Sequence, residues 1–248
     1  DIVTCLYDRA KALQIELGCP EEKIRVTPNG IKADTFEGIP GKSEEEEAYI
    51  NAGAVLRVTP IKDVKTMIQA FAFAKKSVPK LKLWIMGPTD EDETYAQECF
   101  DLVKALGVED VEFTGRVNVK DYLGKMDFTL LTSISEGQPL TILESYAAHK
   151  PVIATDVGNC RELIYGNDDG FGSAGILTHI MNIEEIAQAM ITMAEDQEER
   201  ERMGEAGYKR VNAFYRIEQM KDVYREIYKE LSDRQKLTWT EEPFELRR

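Results

Sequence analysis

The stretch from Phe128 to Thr155, FTLLTSISEGQPLTILESYAAHKPVIAT, carries the reading of the fold. It opens on an apolar run, Phe128 to Leu131, and closes on another, Pro151 to Ala154, each a strand candidate. Between them Pro139 fits the first turn of a helix, where its missing N–H costs nothing. Strand, helix, strand, with nearly continuous apolar strands, is the signature of a parallel sheet covered on both faces. Outward from this unit the alternation repeats. Further strand candidates are Ile24-Arg25-Val26, Ala54-Val55-Leu56, Leu81 to Met86, Val111-Glu112-Phe113 and Gly175-Ile176-Leu177. Val64, Met67, Ile68, Phe71 and Ala72 follow the three-four spacing of a buried helix face. Ile183, Ile186, Ala187, Met190 and Ile191 repeat it after Asn182, a good cap residue. The expected fold class is α/β, a doubly wound parallel sheet.

The ends differ from the middle. Residues 1–18 read as a short helix closed by Gly18 and Pro20, and 1–22 as a connecting helix and linker. A domain over 23–214 follows, then a long helical pattern and polar tail over 215–248, ending Arg247-Arg248. The first residue is Asp1 and not Met, which is compatible both with a piece of a longer protein and with a natural end.

Composition narrows the partners. The 248 residues hold 31 Lys plus Arg against 45 Asp plus Glu, a net charge of −14. Such a surface repels phosphate backbones and anionic lipid, which argues against nucleic acid and membrane surfaces as partners. No apolar run approaches the roughly 20 residues that span a bilayer. Cys5, Cys19, Cys99 and Cys160 lack ligand spacing and only two histidines are present, so reduced thiols, no metal site and a cytoplasmic location are expected.

In open parallel sheets ligands bind beyond the carboxyl ends of the strands. The loop after Leu131 places Glu136 just before a helix start, Gly137 where a backbone must approach a ligand, and the free amides of Leu140 and Thr141 toward the crevice. Glu144 shares a mostly apolar face with Leu140, Thr141, Ala147 and Ala148. Two readings stay open for it: a carboxylate bonded to a sugar diol, or one paired with a buried Arg or backbone amide. Glu136 equally suits a helix-start acid. Arg57 and Lys62, five residues apart after Leu56, would close on a diphosphate, or are solvated surface charges that need no explanation. Gly115-Arg116-Val117 occupies the same sheet edge, and the convergence of three such loops outweighs any one of them. Asp90-Glu91-Asp92 resembles the metal-holding triplet of another class of sugar transferase, but at a helix start it reads as capping. His149 reads as stabilising a helix end, and His179 has no evident partner. The absence of G-x-G-x-x-G and of a Walker lysine argues against a nicotinamide dehydrogenase or P-loop NTPase.

At these residues the sequence resembles glycosyltransferase family 4, the retaining nucleotide-sugar enzymes of the two-domain, Rossmann-like GT-B fold. Glu136 to Glu144 is similar to the family's E-x7-E motif. Pro28-Asn29-Gly30-Ile31, Arg57 with Lys62, Phe113 to Val117 and Ala147 to Gly158 are similar too, in the family's order over roughly residues 20–230. The Pro60-Ile61-Lys62-Asp63 wording is closest to family members that use UDP-glucose in exopolysaccharide synthesis. The resemblance covers the C-terminal, donor-binding half, so a separate N-terminal GT-B domain is an implied partner, as are a saccharide acceptor and a membrane-associated synthase complex. It implies that Arg57 and Lys62 hold the donor diphosphate and that Glu144 binds ribose. Glu136 would meet the hexose, Arg116 and Val117 line the base pocket, and Gly137, Gln138, Pro139, Leu140 and Thr141 contribute the backbone of the site, its amides above all. Glu136, Arg57 and Lys62 are the expected catalytic set, with no cofactor beyond the nucleotide-sugar co-substrate and no metal. The chain departs from the family at Leu56 and His149, where glycine is usual. The alternatives are a non-catalytic nucleotide-sugar binding module and a sugar-nucleotide epimerase.

Overall fold

The computed structural model describes residues 1–235, so the expected polar tail ending Arg247-Arg248 lies outside the described residues. In chain order the elements are β1 (Val3–Cys5), α1 (Asp8–Glu16), β2 (Ile24–Val26), β3 (Ile50–Val55), α2 (Val64–Ser77), β4 (Leu81–Met86), α3 (Glu93–Leu106) and β5 (Val111–Gly115). They continue with α4 (Lys120–Leu123), β6 (Phe128–Leu131), α5 (Leu140–Ala147), β7 (Val152–Thr155), α6 (Cys160–Tyr165), β8 (Gly175–Thr178), α7 (Ile183–Glu195), α8 (Gln197–Phe214) and α9 (Ile217–Gln235).

Strands β3 to β8 form one parallel sheet in the order β5-β4-β3-β6-β7-β8. The chain enters at β3, winds outward to β5, crosses back to β6 and winds outward the other way. Right-handed crossovers then place α2 and α3 on one face and α5 and α6 on the other. The core divides accordingly. Val64, Met67, Ile68 and Phe71 of α2 share one buried cluster with Ile186 and Met190 of α7. Ile142, Leu143 and Tyr146 of α5 share the other with Leu163, Ile164 and Val211. Strands β6 and β7 are buried at every residue, as near-continuous apolar runs require. The doubly wound α/β expectation holds.

Two local expectations change. Residues 1–18 are not one helix: Val3–Cys5 forms a strand that pairs in parallel with Ile24–Val26, and only then does α1 begin. Three residues are too few to show a period, and their partner lies about twenty positions away. Strand β3 also starts earlier than expected, at Ile50. Its Asn51 is buried, with its N–H donating to Asp127 Oδ2 at 2.6 Å, its Nδ2 to the Lys125 carbonyl at 3.1 Å, and its Oδ1 accepting from Trp84 Nε1 at 3.2 Å. An Asn-Ala-Gly run carries little strand preference, so the partners on either side decide it.

Candidate functional site

Strand order reverses between β3 and β6, and a doubly wound sheet opens a crevice beyond the carboxyl ends of the strands at such a point. The loops that follow these two strands are laced together. Thr132 Oγ1 donates to the carbonyls of Lys62 at 2.9 Å and Asp63 at 3.2 Å, and the Ile134 N–H donates to the Ile61 carbonyl at 2.9 Å. From the loop between β7 and α6 the Asn159 N–H reaches the Gly137 carbonyl at 2.8 Å. Asp63, at φ 49°, adopts the left-handed conformation and turns the chain into α2.

The crevice holds a hollow of about 430 Å³ whose walls include Arg57, Lys62, Arg116, Val117 and Thr141. Its narrow end is shaped by Gly87, at φ +150°, where a Cβ would fall 1.8 Å from the Leu56 carbonyl oxygen. Only glycine permits that approach. Leu56, at the position where the resemblance leads to an expected glycine, is buried in the core cluster of the α2 face and also lines the hollow.

Each cation of the hollow has a carboxylate in place. Lys62 Nζ pairs with Glu136 Oε1, the same oxygen that accepts from Ser133 Oγ at 2.6 Å. Both partners of this pair are largely buried, with side chains 16% and 13% exposed. Arg57 pairs with Glu91 at 3.0 Å, and Arg116 with Asp90 at 3.2 Å and Glu91 at 3.8 Å, in open surroundings. Of the acidic triplet, then, only Asp92 caps α3, accepting from the Tyr95 N–H at 3.0 Å; Asp90 and Glu91 face the arginines instead. Among the described residues no group of three or more His, Cys, Asp and Glu is placed to hold a metal ion.

Glu144 lies one turn below Thr141 on the same face of α5. It makes no hydrogen bond or ion pair among the described residues, which removes the paired-carboxylate reading, and burial raises its pKa against a smaller opposing pull from Lys120. A carboxyl whose folded pKa is raised loses stability as pH climbs past the ordinary carboxylate range. Glu144→Gln is therefore expected to raise the melting temperature at pH 8 and to leave it nearly unchanged at pH 4, where the wild-type group is protonated. Thermal unfolding at both pH values checks this, and a loss of stability at pH 8 would contradict it.

The remaining expected site residues divide. Pro139 stands just before α5 rather than in its first turn, with φ −72°, and Leu140 opens the helix, half-exposed. The N–H groups of Leu140 and Thr141, in the first turn, have no acceptor within the helix. Gly137 is not demanded by protein packing, since a Cβ there would meet only Leu6 Cδ1, at 3.4 Å. Gln138 is buried, and its side chain turns away from the hollow to Asn29. His149 ends α5 at φ 56°, where glycine is usual, and stacks on Tyr208 at 3.8 Å. His179, expected without a partner, sits 2.9 Å from Glu185. All four cysteines are unpaired.

Sequence reasoning missed Ser133, which fixes Glu136, and Thr132, which ties the two loops. Two small hydroxyl residues directly after an apolar strand were the available signal. It also missed Asn29 and Asn159 as anchors of the 136–138 loop, because their partners lie on other elements.

Comparison with known proteins fits this geometry. The family model for glycosyl transferases group 1 matches residues 35–210. N-acetyl-alpha-D-glucosaminyl L-malate synthase of Bacillus anthracis is 33% identical over 190 residues, 76% of this chain and 46% of that protein. D-inositol 3-phosphate glycosyltransferase of Kribbella flavida is 24% identical over 221 residues, covering 84% of this chain and 51% of that one. This chain thus spans about half the length of these relatives. Among solved structures, sucrose-phosphate synthase of Thermosynechococcus elongatus superposes with a TM-score of 0.80 at 19% identity, over 94% of this chain and 59% of that one. Anabaena HepE in complex with UDP-glucose superposes with a TM-score of 0.76 at 20% identity, over 94% and 64%. These two likenesses show a shared Rossmann-like GT-B fold. With the family model covering well over half of its length, the chain belongs to the glycosyl transferases group 1 family.

Proposed function

We propose that this chain is the donor-binding half of a retaining family 4 glycosyltransferase, which transfers a hexose from a nucleotide sugar, UDP-glucose first, to a saccharide acceptor. The observation that carries the reading is one shared hollow at the switch point, where Arg57, Lys62 and Arg116 meet the open start of α5. In glycosyl transfer the bond from the anomeric carbon to the phosphate oxygen breaks while the acceptor hydroxyl oxygen bonds to that carbon, its proton passing to the departing phosphate oxygen. The departing diphosphate gains negative charge. Lys62, Arg57 and the Leu140 and Thr141 amides would stabilise that charge more in the transition state than in the ground state. Two cations can perform the charge-stabilising task that a divalent metal has elsewhere, and the reading is metal-independent.

Glu136, held by Lys62 and Ser133, is pre-positioned to meet hexose hydroxyls. Glu144, half-buried without a partner, would accept from the two ribose hydroxyls. The lining by Arg116 and Val117 suits a base. The Pro60–Asp63 wording resembles the glycosyltransferase of Pel exopolysaccharide synthesis, and this resemblance supports a whole protein that acts in exopolysaccharide assembly, in the cytoplasm, with an N-terminal GT-B domain closing over the donor. No helix among the described residues is long and apolar enough to cross a membrane.

Calorimetric titration of the chain with UDP-, GDP- and ADP-glucose tests the reading. UDP-glucose is expected to bind most tightly, and a ligand at about 100 times its Kd would stabilise the fold by about 2.7 kcal/mol. No binding of any of the three would overturn it. Turnover by the full-length protein, unchanged by EDTA and yielding UDP rather than an epimer, separates the transferase from a binding module and from an epimerase.

A further inference from the structure

The geometry points to Asn29 as a positioning residue of the donor site, one that acts through Gln138 and rests on the donor-site reading above. The Asn29 N–H donates to Gln138 Oε1 at 2.5 Å, and Asn29 Nδ2 donates to the Gln138 carbonyl at 3.1 Å. One residue thus fixes both the side chain and the backbone of the other. Gln138 is 5% exposed and stands two residues before Leu140. Its Nε2 is buried without a partner among the described residues, so the bond from Asn29 is what sets the orientation of that amide group. The loop is gripped on its other side by the Asn159 N–H on the Gly137 carbonyl. Directly after these two clamps the chain enters the first turn of α5, whose Thr141 lines the hollow.

Asn29 is itself anchored. Its neighbour Gly30 lies flush against the start of α9: a Cβ there would fall 2.6 Å from the Arg216 carbonyl oxygen and 2.9 Å from Ile217 Cα. Ile31 donates its N–H to the Tyr215 carbonyl at 2.9 Å, and Ile217 returns an N–H to the Ile31 carbonyl at 2.8 Å. The donor loop is therefore tied through Asn29 to α9, an element more than seventy residues further along the chain. Amides that recognise an anion must be held in place before it arrives, because small misplacement forfeits much of the gain.

The test uses Asn29→Ala, Asn29→Asp and Gln138→Ala, with two readouts: amide hydrogen exchange over residues 136–141 without ligand, and UDP affinity by calorimetry. Aspartate has the shape of asparagine but presents no donor to the Gln138 carbonyl. If Asn29 merely fills space, Asn29→Asp behaves as wild type. If it positions the loop, both Asn29 variants exchange faster over 136–141 with α2 and β4 unchanged. They also bind UDP about tenfold more weakly, the scale of one hydrogen bond. Gln138→Ala removes only the side-chain acceptor of the Asn29 N–H and keeps the carbonyl that Asn29 Nδ2 holds, so the Asn29 effect on affinity should persist in that background. Wild-type exchange and affinity in Asn29→Asp, or an Asn29 effect that disappears when Gln138 is alanine, overturn the assignment. Should Asn29→Ala fail to fold, Asn29→Asp alone decides. Should wild type bind no UDP, the donor-site reading falls, while the exchange readout still decides whether Asn29 holds the loop.

Discussion

Lys62→Ala in the full-length protein is expected to lower kcat/KM for the UDP-sugar by about 10²–10³, the range found when one pre-organised donor to a developing negative charge is removed. Lys62 should matter more than Arg57 because of where each sits. The Lys62 ammonium is largely buried and held against Glu136, so solvent screens it poorly, whereas the Arg57 side chain is 57% exposed and its charge is shared with Glu91. Arg57→Ala is accordingly expected to cost about 10- to 100-fold. Because Lys62→Ala strands the Glu136 carboxylate, the variant's melting temperature must be measured beside its kinetics, and Lys62→Ala/Glu136→Gln serves as the control that restores charge balance. Unchanged kcat/KM in both Arg57→Ala and Lys62→Ala would remove the diphosphate assignment, whatever the stability data say.

The second large effect falls on stability, far from the crevice. Arg210 is 1% exposed and forms a two-pronged pair with Asp169, Nε to Oδ2 at 2.5 Å and Nη2 to Oδ1 at 3.0 Å. Its remaining donors reach the carbonyls of Leu163 at 3.0 Å, Ile164 at 2.9 Å and Gly172 at 2.6 Å. One guanidinium thus satisfies the C-terminal end of α6 and fixes the turn that leads to β8. Arg210→Ala leaves a buried carboxylate without its cation and the Gly172 carbonyl without its donor, while the Leu163 and Ile164 carbonyls keep one donor each, from the Tyr146 hydroxyl and the Ala174 N–H. The expected loss is about 3–5 kcal/mol, or about 10 °C in melting temperature. The hydrogen bonds from Arg210 hold the Asp169 pKa below its ordinary value. The stability gained from a depressed carboxyl pKa is present above the unfolded-state value and lost as pH falls through the folded one. Wild type should therefore shed this contribution in acid, and the gap between wild type and Arg210→Ala should narrow below about pH 4. Denaturant unfolding at pH 7 and pH 3 measures both points; a loss under 1 kcal/mol at pH 7 would refute the account.

The ion pairs also bear on the donor-free state. Arg57 and Lys62 each hold a carboxylate, so on the proposed reading an incoming diphosphate would exchange one set of counter-ions for another rather than meet bare cations. Their contribution to ground-state affinity would be correspondingly modest, and their weight would fall where the leaving group's charge grows.

The amino-acid sequence by itself determined the α/β class, five of the strand positions to within a residue, the Asn182 cap and the E-x7-E spacing. These are local properties: period, apolar runs and cap chemistry are written in consecutive residues. Tertiary structure alone decided the sheet order that opens the crevice between β3 and β6, the pairing of Val3–Cys5 with Ile24–Val26, and the burial of Asn51 in a strand. It alone matched Asp90 and Glu91 to arginines, Asn29 to Gln138 across 109 positions and Arg210 to Asp169 across 41. Each of these is a bond between distant residues of unremarkable type, and the free energy that selects the partner comes from burial, which no window of consecutive residues contains.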